Sequence, residues 1–264
     1  MFLPFHDDNP TLRTPVVTYA IVAINVLAFL MMIALGPMEQ QMLVYRRGFV
    51  PARIGQLVEA RPISVKLQGL AVNQFGQIVQ VEQPYDLPPE PRQILLSMLT
   101  CMFLHGGWLH LIGNMWFLWI FGNNVEDRLG HIPFLLFYLA GGLLATLSHW
   151  FVEPSSTIPV VGASGAIAAI LGAYAVTWPW ARVHTLVFLF IFITVIDVPA
   201  LLVLGVWFAG QLLSSAQGQE AGVAWWAHIG GFVAGALLMP IVASVAGEDR
   251  RPRRQPPLDR DADC

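Results

Sequence analysis

The chain has 264 residues, of which 56% are hydrophobic and only 12% charged, and a net charge of −3. Soluble domains carry about 25% charged residues, so this composition excludes an ordinary water-soluble globule and makes lipid the expected solvent for most of the chain. Only two cysteines occur, Cys101 and Cys264, so no disulfide framework is supported. No cluster of His, Cys and carboxylate residues has ligand spacing, so neither a metal nor an organic cofactor is implied, and no nucleic-acid partner is expected.

The apolar runs come in chain order. About 20 apolar residues are needed to cross a hydrocarbon core of roughly 30 Å. Residues 1–14 carry His6, Asp7 and Asp8 before Pro10 and lack the basic region and cleavage site of a signal peptide. The first run, 16–35, is therefore expected to be a retained span, stopped at Gly36-Pro37. A polar first loop over 37–92 follows, with both charge signs, and its alternating stretches predict a small hairpin at 63–83. A second span is expected over 108–121, entered by a shorter helix at 93–104. Residues 122–130, with Glu126, Asp127 and Arg128, read as a polar turn. A third span covers 133–152, and a fourth runs from Pro159 to Thr177. Two apolar blocks come next, 183–196 and 199–213, broken at Asp197 and Pro199. The second block is taken as the fifth span and the first as interfacial or partly re-entrant. The sixth span is 224–245.

Six crossings put both termini on one side. Arg250, Arg251, Arg253 and Arg254, in the tail 247–264, mark that side as cytoplasmic. Arg182 agrees, whereas the basic residues of the first loop run against the same rule.

The chemistry-bearing residues lie on three of these runs. Ser164 stands in Gly162-Ala163-Ser164-Gly165, and small residues recur at Ala168 and Gly172. Taken alone, such a stripe is an ordinary packing surface for membrane helices. His228 in the sixth run shares a face with Gly231 and Gly235, a second small-residue groove. An ionisable side chain inside a membrane helix is costly and points to function. Serine becomes a nucleophile when a positioned base takes its proton, and neutral imidazole suits that role. His110 and Asn114, four apart on the second run, add two uncharged donors on one face, the kind of group a developing oxyanion requires. The backbone N–H of Ser164 at a helix start is a further donor. Neither Asp197 nor Glu153 is placed to act as a third member, so a Ser-His dyad is expected.

In these motifs, with Glu126-Asp127-Arg128 and Ala227-His228-Ile229-Gly230-Gly231, the sequence resembles the rhomboid family of intramembrane serine proteases, bacterial type, over about 11–245. The resemblance implies an all-α membrane protein, a six-helix bundle with a long, partly membrane-embedded first loop, in residues 15–246. It implies Ser164 as nucleophile, His228 as general base, and His110, Asn114 and the Ser164 amide as the oxyanion hole. Glu126 and Arg128, with Gly162, Gly165, Gly231 and Gly235, are structural in that reading. It also implies single-span transmembrane proteins as substrates, a segment at 214–224 capping a water-filled cavity, and a bacterial inner membrane as the site. Many relatives place an aromatic ring four residues after the nucleophile, where this chain has Ala168, so an aromatic from another helix, such as Trp207 or Phe232, is expected to hold His228. Two rivals remain at this level: a rhomboid-like protein that binds membrane clients without cutting them, and a transporter or channel.

Overall fold

The computed structural model describes residues 2–72, 74–189, 192–216 and 223–246. The arginine cluster at 250–254 and most of the expected cavity cap lie outside them.

Strand β1 (Phe2–Asp7) precedes helix α1 (Val16–Ile33), an apolar run of 18 residues that starts after Pro15. Pro15 supplies no side-chain cap, and a helix start leaves its first amides unpartnered. The carboxylate of Glu126 fills that need from across the molecule. It accepts the Val17 and Thr18 N–H groups at 2.8 and 2.7 Å and the Thr18 hydroxyl at 2.6 Å. His131 Nδ1 lies 2.6 Å from the same carboxylate, and Asp127 accepts the Arg13 N–H at 2.7 Å. The acidic residues at 126–127 are thus a cap for α1, which corrects the expected turn at 122–130.

The first loop is folded. It contains α2 (Pro37–Arg47), a 3-10 turn, the short α3 (Gln56–Glu59), and strands β2 (Ile63–Val72) and β3 (Ile78–Leu87). The two strands pair antiparallel from Ile63 opposite Leu87 to Val72 opposite Ile78, a longer hairpin than the alternation at 63–83 indicates. Arg53, only 1% exposed, is the hub of this segment. Its guanidinium donates to Pro88 O at 3.1 Å, Gln93 Oε1 at 2.8 Å and Gln56 Oε1 at 3.1 Å. A buried charge that spends its donors this way avoids the penalty of an unpaired ion.

Helix α4 (Pro91–Thr100) continues as a 3-10 turn and then meets α5 (Trp108–Leu129) at a bend of 78°. Gly130 alone joins α5 to α6 (His131–Val152); its φ of +83° is a conformation that a side chain resists. Helix α7 (Ser164–Thr177) leads to strands β4 (Arg182–Leu189) and β5 (Phe192–Pro199), then α8 (Ala200–Ala216) and α9 (Trp225–Ala246). Strands β1, β4 and β5 form one antiparallel sheet in that order.

The block 183–196, expected to be interfacial or partly re-entrant, forms strands of this sheet, and Asp197 is a strand residue rather than a break in a span. The protein is mostly helical, with five strands among the described residues, rather than all-α. The β-branched run Val183, Thr185, Val187, Thr194, Val195, Ile196 and Val198 favours extended backbone, because branching at Cβ restricts χ1 and packs well on a pleated surface.

Helices α1, α6 and α9 are long and apolar enough to cross a bilayer, and the bent α4–α5 pair counts as a fourth. Helices α7 and α8 are apolar but shorter, 14 and 17 residues. Length and composition therefore give three or four crossings among the described residues, and six only when α7 and α8 are counted.

The sheet is pinned to the bundle by polar contacts. Asp7 is 4% exposed and accepts from Asn124 Nδ2 at 2.9 Å and from the Tyr174 hydroxyl. Burial raises the Asp7 pKa above the usual carboxylate range. On the outer face, His184 Nε2 lies 2.7 Å from Asp8 and Nδ1 2.6 Å from Asp197, with His6 stacked on its ring. These two carboxylates raise the His184 pKa. The protonated pair of contacts therefore stabilises the sheet below the ordinary imidazole pKa, and that contribution is lost as pH rises through the raised value. Thermal unfolding followed against pH is expected to show this loss, and His184→Gln to remove that component of the pH dependence.

Candidate active site

The site begins with how α7 starts. Gly162 holds φ +122°, a conformation that favours glycine, and its N–H donates to Cys101 O at 2.9 Å. The loop before it is held by a bridge in which Phe49 and Val160 exchange backbone hydrogen bonds at 3.0 and 2.7 Å. The chain then turns into α7 with Ser164 as the first helical residue. Amides of a first turn have no intrahelical acceptor, so the Ser164 N–H and its neighbours face the opening of the helix.

Helix α9 meets α7 backbone to backbone. A Cβ added to Gly235 would lie 1.8 Å from Ala169 O, and one added to Gly231 would lie 2.3 Å from Gly165 O. Gly172 of α7 makes the reciprocal approach, 2.0 Å from Phe232 O. Gly165 in turn packs on α6, where an added Cβ would lie 2.8 Å from the Ala145 Cβ. Small residues at helical spacing on both partners permit this approach. It brings His228 Nε2 to 2.8 Å from Ser164 Oγ.

The imidazole of His228 has a second partner that sequence reasoning missed. Its Nδ1 lies 2.7 Å from Gln211 Oε1 of α8. Trp207 and Trp225 flank the ring with centroids at 6.1 and 6.0 Å. Of the two expected aromatics, Trp207 is at the imidazole, while Phe232 stacks on Phe208 at 4.6 Å. The signal for Gln211 was an isolated amide on an apolar helix, a group that needs a partner wherever water is excluded.

His110 comes to the same place from α5. A point at the Cβ position of Gly162 is 2.6 Å from His110 Nε2 and 3.5 Å from Ser164 Oγ. The Gly106 N–H donates to His110 Nδ1 at 3.4 Å, which leaves the ring proton on Nε2, beside the Gly162 turn that leads into Ser164. Asn114 also lines the cavity, but one of its two amide hydrogens is spent on His110 O at 2.9 Å. Ser164, His228, His110, Asn114 and Gln211 all border one cavity of about 890 Å3. No carboxylate lines it among the described residues, and Asp197 is instead engaged with His184. His, Cys, Asp and Glu residues form no group of three that could hold a metal among the described residues.

Glu126 is placed at the α1 start, away from this cavity, and Arg128 ends the same turn of α5. Of the expected site glycines, Gly162 and Gly165 border the cavity, while Gly231 and Gly235 hold α9 against α7.

A helical, lipid-facing bundle with a serine and a histidine in hydrogen-bond contact across two of its helices defines an integral membrane protein with a polar site within its helical core. The chain belongs to the rhomboid family, whose model, described as the Rhomboid domain, matches residues 92–245. It is 37% identical over 93 residues to Rhomboid-like protein 11, chloroplastic, of Arabidopsis thaliana, covering 33% of this chain and 32% of that protein. It is 42% identical over 76 residues to Rhomboid protease GluP of Bacillus subtilis (strain 168), covering 29% of this chain and 14% of that protein. It is 29% identical over 171 residues to Rhomboid protein 1, mitochondrial, of Saccharomyces cerevisiae, covering 61% of this chain and 45% of that protein. The chain thus spans less than half the length of these curated relatives.

Proposed function

We propose that the protein is an intramembrane serine endopeptidase that hydrolyses peptide bonds in or near the transmembrane segments of single-span membrane proteins. The observation that carries this reading is the 2.8 Å contact between Ser164 Oγ and His228 Nε2. Ser164 Oγ attacks the scissile carbonyl carbon while His228 Nε2 takes its proton. The negative charge that develops on the carbonyl oxygen is received by the His110 Nε2–H and the Ser164 backbone N–H, with the free amide hydrogen of Asn114 beside them. The tetrahedral species collapses, the C–N bond breaks, and the imidazolium returns the proton to the leaving amine. Water then attacks the acyl-enzyme by the same route, with His228 again as base, and releases the carboxylate product and free Ser164.

Helix length bears on where this happens. At about 1.5 Å per residue, the 14 residues of α7 span about 21 Å, short of a hydrocarbon core of roughly 30 Å. In a six-crossing arrangement with both termini cytoplasmic, in a bacterial plasma membrane, Ser164 then lies below the outer surface, and the cavity brings water to it. A helical peptide bond is shielded from attack, so the substrate segment must be extended where it enters.

The purified protein in detergent is expected to cut a single-span reporter within or beside its membrane segment. His110→Leu is expected to lower kcat by about 100- to 1000-fold with little change in KM, the loss typical of one oxyanion donor. A loss confined to KM would assign His110 to substrate binding instead. No cleavage of any single-span reporter by the folded protein would favour the client-binding alternative.

A further inference from the structure

We infer that Gln211 is the third member of this site, a positioning residue that fixes the tautomer and ring plane of His228. The inference rests on the proposed proteolytic role of Ser164 and His228.

Imidazole can accept a proton from serine only if the nitrogen facing the hydroxyl carries a lone pair, so the other nitrogen must carry the hydrogen. The nitrogen facing Ser164 is Nε2, at 2.8 Å, and the one facing Gln211 Oε1 is Nδ1, at 2.7 Å. An amide oxygen only accepts, so Nδ1–H must donate to it, and Nε2 is left free for the serine proton. The reversed amide would put an N–H against Nδ1, shift the imidazole proton to Nε2, and disarm the base. The amide orientation is set within α8: Gln211 Nε2 donates to Trp207 O at 3.4 Å, and a carbonyl cannot partner the amide oxygen.

Trp207 and Gln211 are four residues apart, on one face of α8. The helix therefore presents a ring and an amide to the same imidazole, one restricting its tilt and the other its rotation about χ2. Within α7 that task has no candidate. The position one turn after Ser164 is Ala168, and an added Cβ on Gly231 would lie 3.2 Å from its methyl, so close helix packing occupies the space of a ring. The support for His228 thus comes from α8, with Trp225 of its own helix edge-on to the ring. Because the amide is neutral, it orients the base without stabilising the imidazolium as a carboxylate does.

Cleavage of a single-span reporter by the purified full-length protein, measured as kcat and KM against pH, tests this. Gln211→Leu is expected to lower kcat on the order of 100-fold, with KM within about twofold, since a small misorientation of a reacting group costs that much. Gln211→Glu, nearly isosteric, is expected to retain substantial activity. Its carboxylate accepts the same Nδ1–H and favours the charged imidazole, so the acidic limb of the kcat profile moves to higher pH. A purely structural glutamine would show neither the split between kcat and KM nor the shifted limb. Wild-type kcat in Gln211→Leu, or an unshifted limb in an active Gln211→Glu, would overturn the inference. If the wild-type enzyme cleaves and its Ser164 reacts with a fluorophosphonate, those failures count against Gln211 alone. A folded wild type that neither cleaves nor reacts overturns the proposed function and this inference with it.

Discussion

Ser164→Ala and His228→Ala are each expected to lower cleavage by about 10^4-fold or more, the double variant falling little further, while thermal stability stays close to wild type. Removing Oγ takes away the nucleophile, and removing the imidazole leaves a serine that is a poor nucleophile at neutral pH. Two groups that act in one proton transfer lose their function together, which makes their effects non-additive. Stability is spared because Ser164 precedes the buried stretch from Ala166 to Ala175, and both Ser164 and His228 border the cavity, so neither truncation empties the packed core. Reporter cleavage alongside a thermal melt separates the two effects. Strictly additive losses would argue against a shared step.

Gly235→Ala is expected to have the largest effect on folding. The added methyl would sit 1.8 Å from Ala169 O and 2.6 Å from the Ala169 Cα, both backbone atoms that no rotamer change can move. Helices α7 and α9 must then separate, and overpacking typically costs about 1–3 kcal/mol, with this backbone clash at the upper end. The same displacement pulls His228 away from Ser164, so activity falls even in the folded fraction. Gly210→Ala on α8 is the matched control, since its added Cβ meets nothing within 4 Å. Alanine is the better helix former there, so a neutral or slightly stabilising effect is expected. Melting temperatures of the two variants check the contrast, and equal effects would contradict the close-packing account of α7 and α9.

Much of the candidate site was legible in the sequence because its signals are local. Ser164, His228, His110 and Asn114 each stand in a short motif of small or polar residues on an apolar run, and the structure brings all four to one cavity. Gln211 shows in the sequence as an isolated amide that needs a partner, but its pairing with His228 was not legible, because the two lie 17 positions apart and no helical spacing links them. For Glu126 the resemblance implies a structural role in tying helix ends, and in the structure its carboxylate caps the start of α1, but its place in the chain does not name that helix. Three charged residues in a row look like a turn until the unpartnered amides of α1, more than 100 residues earlier, are placed beside them.

The sheet was missed for a different reason. In the sequence, residues 183–196 read as a nearly continuous apolar run, so the alternation that marks a half-buried strand is hidden, and β-branching was the remaining cue. Its third strand, β1, comes from the other end of the chain, with Asp7 reaching Asn124 and Tyr174. Contacts that distant leave no local pattern.

A Ser164 activated by His228 reacts covalently with serine-directed reagents. The most direct measurement is reaction of the full-length protein in detergent with a fluorophosphonate, followed by mass spectrometry of the adduct. One adduct on Ser164, absent in Ser164→Ala and strongly reduced in the folded His228→Ala variant, is the predicted result. Labelling undiminished by Ser164→Ala, or equal labelling with and without His228, would contradict it.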